Sequence, residues 1–279
     1  MLLAILQGFS ELFPISSLGH TVLIPALLHW NIDLASPSFL SFVVVLHLGT
    51  AVALLVFYQR EWRGIVPAVI GSIVRGRFAG TVEEKVGWLL VAGTIPVGLL
   101  GLFFEREVRV LFASPIPVAT FLMINGIVMF AGEALRRKQH VAHHEPYRSL
   151  ESISFLDAVK VGLAESFALL PGISRSGASI VAGLLIGLTE ADAARFSFLL
   201  ATPVILAAGL LEVPRLFAPD AHVALVESVL GGILSAVTAY LSVAFLTRYF
   251  RTNDLRPFGW YCLLAGAICL ALFSLGVVK

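Results

Sequence analysis

Six stretches of this chain, at about 40–58, 86–104, 117–135, 195–213, 222–247 and 257–278, stay apolar long enough to cross a membrane as helices. Two further stretches, about 2–29 and 157–190, are apolar overall but are broken by Gly, Pro, Ser and charged residues. Each of these predicts two half-helices meeting at a loop. Such a re-entrant hairpin is tolerated at membrane depth only where its loop is buried in protein or lines a wet cavity. A weaker apolar piece at 65–74 is too short to span and predicts an interfacial segment.

The order is thus a hairpin and three spans, then a hairpin and three spans. Adding 158 to the first copy aligns it with the second without a gap. Phe9 to Thr21 then falls on Phe167 to Ser179, with Phe, Leu, Ile, Ser and Gly shared at five positions and Gln7 on Glu165. Three spans per copy is an odd number, so the second copy enters upside down. The expected fold is an all-α integral membrane protein with an inverted repeat, each half a re-entrant hairpin plus three transmembrane helices. It forms one membrane domain over 1–279, with pseudo-repeats at about 1–135 and 157–279 joined by a cytoplasmic loop.

Composition agrees: 58% of residues are hydrophobic and 13% charged, with a mean hydropathy of +0.93, which excludes a soluble domain. A net charge of +1 and the lack of a basic patch with interleaved aromatics exclude nucleic acid as a partner. Loops 59–85, 136–160 and 248–256 hold thirteen of the nineteen Lys and Arg residues, and the opposite side holds four: Arg106, Arg109, Arg215 and Lys279. The positive-inside rule then places the three basic loops in the cytoplasm and both termini outside. The first hairpin enters from outside and the second from the cytoplasm. Cys262 and Cys269 share one span and read as packed thiols. Met1 runs into Leu2-Leu3-Ala4 without a basic region, so the N-terminus reads as retained structure and not as a signal peptide.

The chemistry collects at the two hairpins. Pro171-Gly172-Ile173-Ser174-Arg175-Ser176-Gly177-Ala178-Ser179 puts a guanidinium, hydroxyls and glycines inside an apolar run. A charge there costs roughly 2.5–3.5 kcal/mol on insertion scales, and Arg with nearby backbone N–H groups suits an oxyanion. In the first hairpin, Gln7 and Glu11 share a helix face, and Glu11 lies nine residues before His20. A carboxylate and an imidazole there can hold a divalent metal, activate water or move a proton, or simply neutralise one another. Arg175 either binds an anion or pairs with Glu165, which is then its partner or a second acid. Ser16, Ser17, Ser174, Ser176 and Ser179 either donate to phosphate oxygens or bond their own backbone. His140, His143, His144 and Glu145 read as a solvated loop, Glu133 and Glu212 as interfacial, and Asn125-Gly126 as close helix packing.

At these residues the chain resembles the undecaprenyl-diphosphate phosphatase family of the bacitracin-resistance type. The family's (E/Q)-x-x-x-E motif is here Gln7 to Glu11, its P-x-S-S-x-G-H motif Pro14 to His20, and its P-G-x-S-R-S-G-x-T motif Pro171 to Ser179. The match covers nearly the whole chain. It implies a multi-pass enzyme of the bacterial plasma membrane that removes the terminal phosphate of C55 polyprenyl diphosphate on the outer, periplasmic side, recycling the carrier for cell-wall synthesis. It implies Mg²⁺ or Ca²⁺ as cofactor, with Glu11 and Gln7 binding metal or activating the nucleophile. His20 would be nucleophile or acid–base group, and Ser17, Ser174, Arg175 and Ser176 would hold the diphosphate, with Ser16, Gly177 and Ser179 lining the same site. Partners are then the lipid substrate and membrane lipid, with the protein a monomer or a homodimer. Three departures are visible: Ser179 replaces the usual Thr, Leu18 stands where a small polar residue is common, and Glu165 replaces Gln.

A cavity between spans could take the prenyl chain laterally while the loops hold the head group. The rival reading is a secondary transporter or flippase for an anionic lipid or small anion, because inverted repeats with broken helices also build transporters. The type-2 phosphatidate phosphatase pattern is absent. The single Arg-Pro, Arg256-Pro257, has Tyr249 in place of the required Lys, and no His follows Ser174-Arg175 at the required spacing.

Overall fold

A backbone N–H or C=O left unpaired in hydrocarbon costs several kcal/mol, so long apolar runs become helices. The computed structural model describes every residue except 31, 34–35, 77, 79, 105–113, 144–146, 217–224 and 279. The expectations placed on Arg106, Arg109, His144, Glu145 and Lys279 lie outside the described residues, as do those on the side chains of His140, His143, Glu212 and Arg215. The helices are α1 (Leu2–Ser10), α2 (Ser17–Leu27), α3 (Pro37–Phe57), α4 (Gln59–Arg75), α5 (Val82–Phe103) and α6 (Pro115–His143), followed by α7 (Phe155–Ser166), α8 (Arg175–Leu185), α9 (Glu190–Leu216), α10 (Leu225–Tyr249) and α11 (Arg256–Ser274). Among the described residues, six are long and apolar enough to cross a membrane: α3, α5, α6, α9, α10 and α11. These are the six stretches expected from the sequence.

Both broken stretches are pairs of short helices, α1–α2 and α7–α8. The second arms correspond closely, since α2 and α8 each have 11 residues and start and end 158 apart. Their caps correspond as well. Ser16 accepts from the Gly19 N–H, and Ser174, 158 residues on, accepts from the Gly177 N–H. Each cap satisfies one of the donors that a helix start leaves unpaired. The first arms pack crosswise: α1 lies on α10, and α7 lies on α5. The α7–α5 approach is set by glycine, because a Cβ on Gly162 would fall 2.1 Å from the Gly93 carbonyl oxygen. The remaining principal pairs are α6 with α11, α3 with α10, and α9 with α8 and α3.

The 65–74 segment lies within α4, a 17-residue helix separated from α3 by Tyr58 alone and capped after Arg75 by Gly76 with φ +63°. Ser72 in α4 accepts from the Trp88 indole of α5 at 2.9 Å. The charged ends of the helices are tied together. Arg195 bridges Glu61 and Glu151, each at 3.0 Å, and Arg136 pairs with Glu190. Glu133, expected at the interface, is instead buried, because its carboxylate accepts from the Leu255 N–H and so caps the start of α11. Cys262 and Cys269 are free, buried thiols.

Candidate functional site

The two hairpin loops meet. A Cβ on Gly19 would lie 3.2 Å from the Gly172 Cα, so the first turn of α2 rests on the loop before α8. Gly172 has φ +111°, and a Cβ there would be 2.4 Å from the Val118 carbonyl oxygen of α6. Only glycine fits that conformation and that gap. Asn125 of α6 joins both loops: its Nδ2 donates to the Pro14 carbonyl at 3.0 Å, and its Oδ1 accepts from the Ser174 N–H at 3.1 Å. Read from sequence as mere close packing, Asn125 is the polar link between the hairpins. Gly126 next to it does serve close packing, against Gly259.

Around this junction lies a buried polar cluster. Glu11, just past the end of α1, takes four neighbours. Ser17 Oγ donates to its Oε2 at 2.5 Å and Gln7 Nε2 to the same oxygen at 2.8 Å. Arg175 Nε donates to Oε1 at 3.3 Å, and His47 Nε2 stands 3.4 Å from Oε2. Arg175, the first residue of α8, also faces Glu165 of α7, with Nη1 3.6 Å from Oε1. The sequence thus brings Gln7, Glu11, Ser17 and Arg175 together, and Glu165 joins them as a partner of Arg175.

His47, on α3, carries no motif in the sequence and was not expected here. Its Nδ1 lies 2.8 Å from the Val43 carbonyl, which can only accept, so Nδ1 bears a hydrogen. Its Nε2 faces both Glu11 Oε2 at 3.4 Å and the Gln7 amide at 3.0 Å. The signal for His47 was an ionisable side chain inside an otherwise apolar span, which is a reason for inspection in itself.

The other expected residues stand around this cluster. His20 has Nδ1 on the Ser16 carbonyl at 2.7 Å and Nε2 on the Tyr261 hydroxyl of α11 at 2.6 Å; neither nitrogen bonds Glu11 or Arg175. Ser174 and Ser176 both donate to the Phe13 carbonyl, at 3.4 and 3.1 Å, and Ser179 bonds the Arg175 carbonyl and Ser197. These hydroxyl hydrogens are already in use. The Gly177 N–H is committed to Ser174.

Several buried atoms of the cluster have no hydrogen-bond partner among the described residues: Gln7 Oε1, both Glu165 oxygens, and Nη1 and Nη2 of Arg175. Buried polar atoms are rarely left so, which points to a group they are built to meet. The guanidinium ends suit an oxyanion, and the orphaned oxygens beside Glu11 are hard donors of the kind that bind Mg²⁺ or Ca²⁺. Among the described residues no three His, Cys, Asp or Glu side chains stand together as a metal-binding group. A cation held by these oxygens would have to draw the rest of its shell from water or phosphate oxygens, as Mg²⁺ commonly does.

Beside the cluster an apolar groove of about 670 Å³ runs between α1 and α10, lined by Leu2, Leu6, Phe9, Phe13, Leu241 and Phe245 among others. Phe13 connects the two environments. Its carbonyl takes the Ser174 and Ser176 hydroxyls, while its ring stacks on Phe9 with centroids 4.1 Å apart.

Fold and site together define a class: an all-helical, multi-pass membrane protein with an ionic centre enclosed where two broken helices meet. The comparisons with known proteins narrow it. Residues 1–268 match the family model described as bacitracin resistance protein BacA, and the chain belongs to that family. Undecaprenyl-diphosphatase 2 of Chromobacterium violaceum is 49% identical over 99% of this chain and 98% of its own length. Undecaprenyl-diphosphatase 1 of Burkholderia pseudomallei is 48% identical over 97% and 95%. Undecaprenyl-diphosphatase of Mycolicibacterium paratuberculosis is 47% identical over 96% and 94%.

Proposed function

We propose that this protein hydrolyses undecaprenyl diphosphate to the monophosphate and inorganic phosphate, returning the lipid carrier to cell-wall synthesis. Relatives of that name match it at nearly half of all positions over nearly its full length. The observation in the structure that carries the reading is Arg175. Its Nη1 and Nη2 are buried without a hydrogen-bond partner at the N-terminus of α8, across from Ser17 at the N-terminus of α2. Guanidinium, helix N-termini and hydroxyl are what the charge spread over a transferring phosphoryl group needs.

In this reading Arg175 takes the phosphate oxygens, and Glu11 accepts the proton of the attacking hydroxyl, which is that of Ser17 or of a water in its place. The attacking oxygen bonds to the terminal phosphorus as the bond to the bridging oxygen breaks, and the prenyl monophosphate leaves; where Ser17 attacks, a water then hydrolyses the phosphoserine to release phosphate and restore the hydroxyl. The 2.5 Å Ser17–Glu11 bond, with Gln7 and Arg175 holding the carboxylate, is the arrangement of a nucleophile, its base and the groups that orient the base. A diphosphate brings several negative charges to a site with one guanidinium, so its entry calls for further positive charge. Mg²⁺ or Ca²⁺ held by Glu11 and Gln7, with Glu165 adjacent, would supply that charge. The prenyl chain would lie in the groove between α1 and α10.

The finer topology belongs to the same proposal: two halves forming an inverted repeat within one membrane domain, basic loops in the cytoplasm of a bacterial plasma membrane, and the site open to the outer side. The crosswise packing of α1 on α10 and α7 on α5, and the matched caps of α2 and α8, support the repeat. The charge bias of the loops supports the orientation. The assembly would be a monomer or a homodimer, which light scattering on the detergent-solubilised protein distinguishes.

The transporter reading requires the halves to rock apart. Separating the halves would break the Asn125 bond to Ser174 and the Ser174 and Ser176 bonds to Phe13. At about 1 kcal/mol net each, that opposes opening by roughly a hundredfold. Phosphate release by the purified protein from polyprenyl diphosphate, with Mg²⁺ or Ca²⁺ and after chelation, tests the proposal. Arg175→Ala and Glu11→Ala should each abolish nearly all turnover while the protein still inserts and folds. Full activity in either variant sinks the site assignment. No release by the wild type, with flux of a labelled anion across vesicles, would establish the transporter instead.

A further inference from the structure

Tyr261 lies on α11, 241 residues from His20, yet its hydroxyl is 2.6 Å from His20 Nε2. The two rings are nearly parallel, at 13°, with centroids 5.7 Å apart. The other ring nitrogen faces the Ser16 carbonyl at 2.7 Å. A carbonyl can only accept, so Nδ1 bears the hydrogen, Nε2 presents a lone pair, and the tyrosine O–H donates to it. Ser16 is held at φ +69°, a conformation that costs a non-glycine residue of order 1 kcal/mol or more. That backbone aims its carbonyl at His20 while its side chain caps α2.

His20 is 5% exposed, whereas Tyr261, 43% exposed, sits on the outer side of the pair. Among the described residues the tyrosine hydroxyl has no other hydrogen-bond partner, so its polar end is turned inward to this histidine. A hydroxyl can also reverse its role, donating to a neutral imidazole and accepting from an imidazolium. The contact therefore survives a change in the charge of the ring, which an amide donor in the same place would not permit.

We propose that Tyr261 is a positioning residue of this site. Its hydroxyl keeps Nε2 of His20 as the proton-accepting atom and holds the ring in place as that atom gains and loses a proton during phosphate release. This rests on the phosphatase reading and on His20 serving it as an acid–base group beside Glu11, one of the two roles the family resemblance implies for it, and Tyr261 acts only through it.

Tyr261→Phe removes one oxygen and keeps the ring and its stacking. The expected result, from one hydrogen bond of roughly 1.4 kcal/mol, is a kcat about tenfold lower with KM little changed. Ethoxyformylation of His20 by diethyl pyrocarbonate, followed by mass spectrometry, should quicken severalfold as Nε2 loses its donor. In His20→Gln, adding Tyr261→Phe should slow turnover no further. Replacing Tyr261 by 4-aminophenylalanine, which keeps a para donor but accepts poorly, should preserve the slow modification of the neutral ring, and it serves if Tyr261→Phe does not fold. Wild-type kcat and wild-type modification rate in Tyr261→Phe overturn the proposal, as does modification of the 4-aminophenylalanine variant as fast as that expected of Tyr261→Phe. Full turnover by His20→Gln is a separate outcome that overturns the acid–base reading of His20 itself.

Discussion

Replacing Asn125 by Ala tests the junction of the two hairpins without reference to any activity. The substitution leaves the Pro14 carbonyl and the Ser174 N–H without their amide partner in a setting where Asn125 is 1% exposed. The Cys262 thiol, at 3.8 Å, is too weak a donor to replace the amide at Pro14. Each buried group left unpaired costs about 1–3 kcal/mol, so the loss is about 2–6 kcal/mol in all. At roughly 2–4 °C per kcal/mol for a chain of this order of size, the midpoint should fall by at least about 4 °C. Thermal unfolding of the detergent-solubilised protein reads this directly, with Thr120→Ala as control, because that side chain bonds only its own helix at an exposed position. A midpoint within 1 °C of wild type in Asn125→Ala would mean that the loops are held by something other than this amide, and the account of the junction would be wrong.

Three further outcomes are expected. Gly172→Ala should destabilise the protein by about 1–3 kcal/mol from backbone strain alone, before the clash with Val118, and the same thermal assay measures it. Arg175→Ala leaves Glu11 and Glu165 buried without their cation, at about 3–5 kcal/mol; adding Glu165→Gln should recover part of that midpoint without recovering phosphate release. His47→Ala removes the polar partner of Gln7 and Glu11 on α3 and should lower kcat about tenfold, while His47→Gln, which keeps a polar group there, should retain most of it; steady-state phosphate release separates the two.

The spans and both hairpins were legible because hydrocarbon leaves the chain few options: an apolar run of twenty becomes a helix, and Gly, Pro and Ser inside one mark the break. Glu11, Ser17 and Arg175 were legible for the same reason, as costly groups where nothing polar is cheap. What the sequence hid is the set of residues that reach the site from distant helices. Asn125, His47 and Tyr261 each stand alone in an apolar span, and a single polar side chain has no neighbours in sequence to say what it meets. Glu133 misled in the opposite way: its position near a span end suggested the interface, but the partner that buries it, the Leu255 N–H, lies 122 residues on. Of the serines, Ser179 bonds its own helix backbone, as one of the alternatives had it, while Ser17 turns to the Glu11 carboxylate and Ser174 and Ser176 to the Phe13 carbonyl of the other hairpin, which neither alternative anticipated.

The groove between α1 and α10 has a consequence for how substrate is chosen. Leu2, Ile5 and Phe9 on its rim are 59%, 42% and 43% exposed, so it opens sideways toward lipid. A prenyl tail moving from acyl chains into such a groove leaves one apolar surrounding for another and gains little free energy by the move. Discrimination then rests on the phosphates, and the tail serves as a tether that confines the search to two dimensions. The relevant concentration is the mole fraction of substrate among lipids, so diluting the protein's vesicles with buffer should leave turnover unchanged, while diluting the substrate with inert phospholipid should slow it.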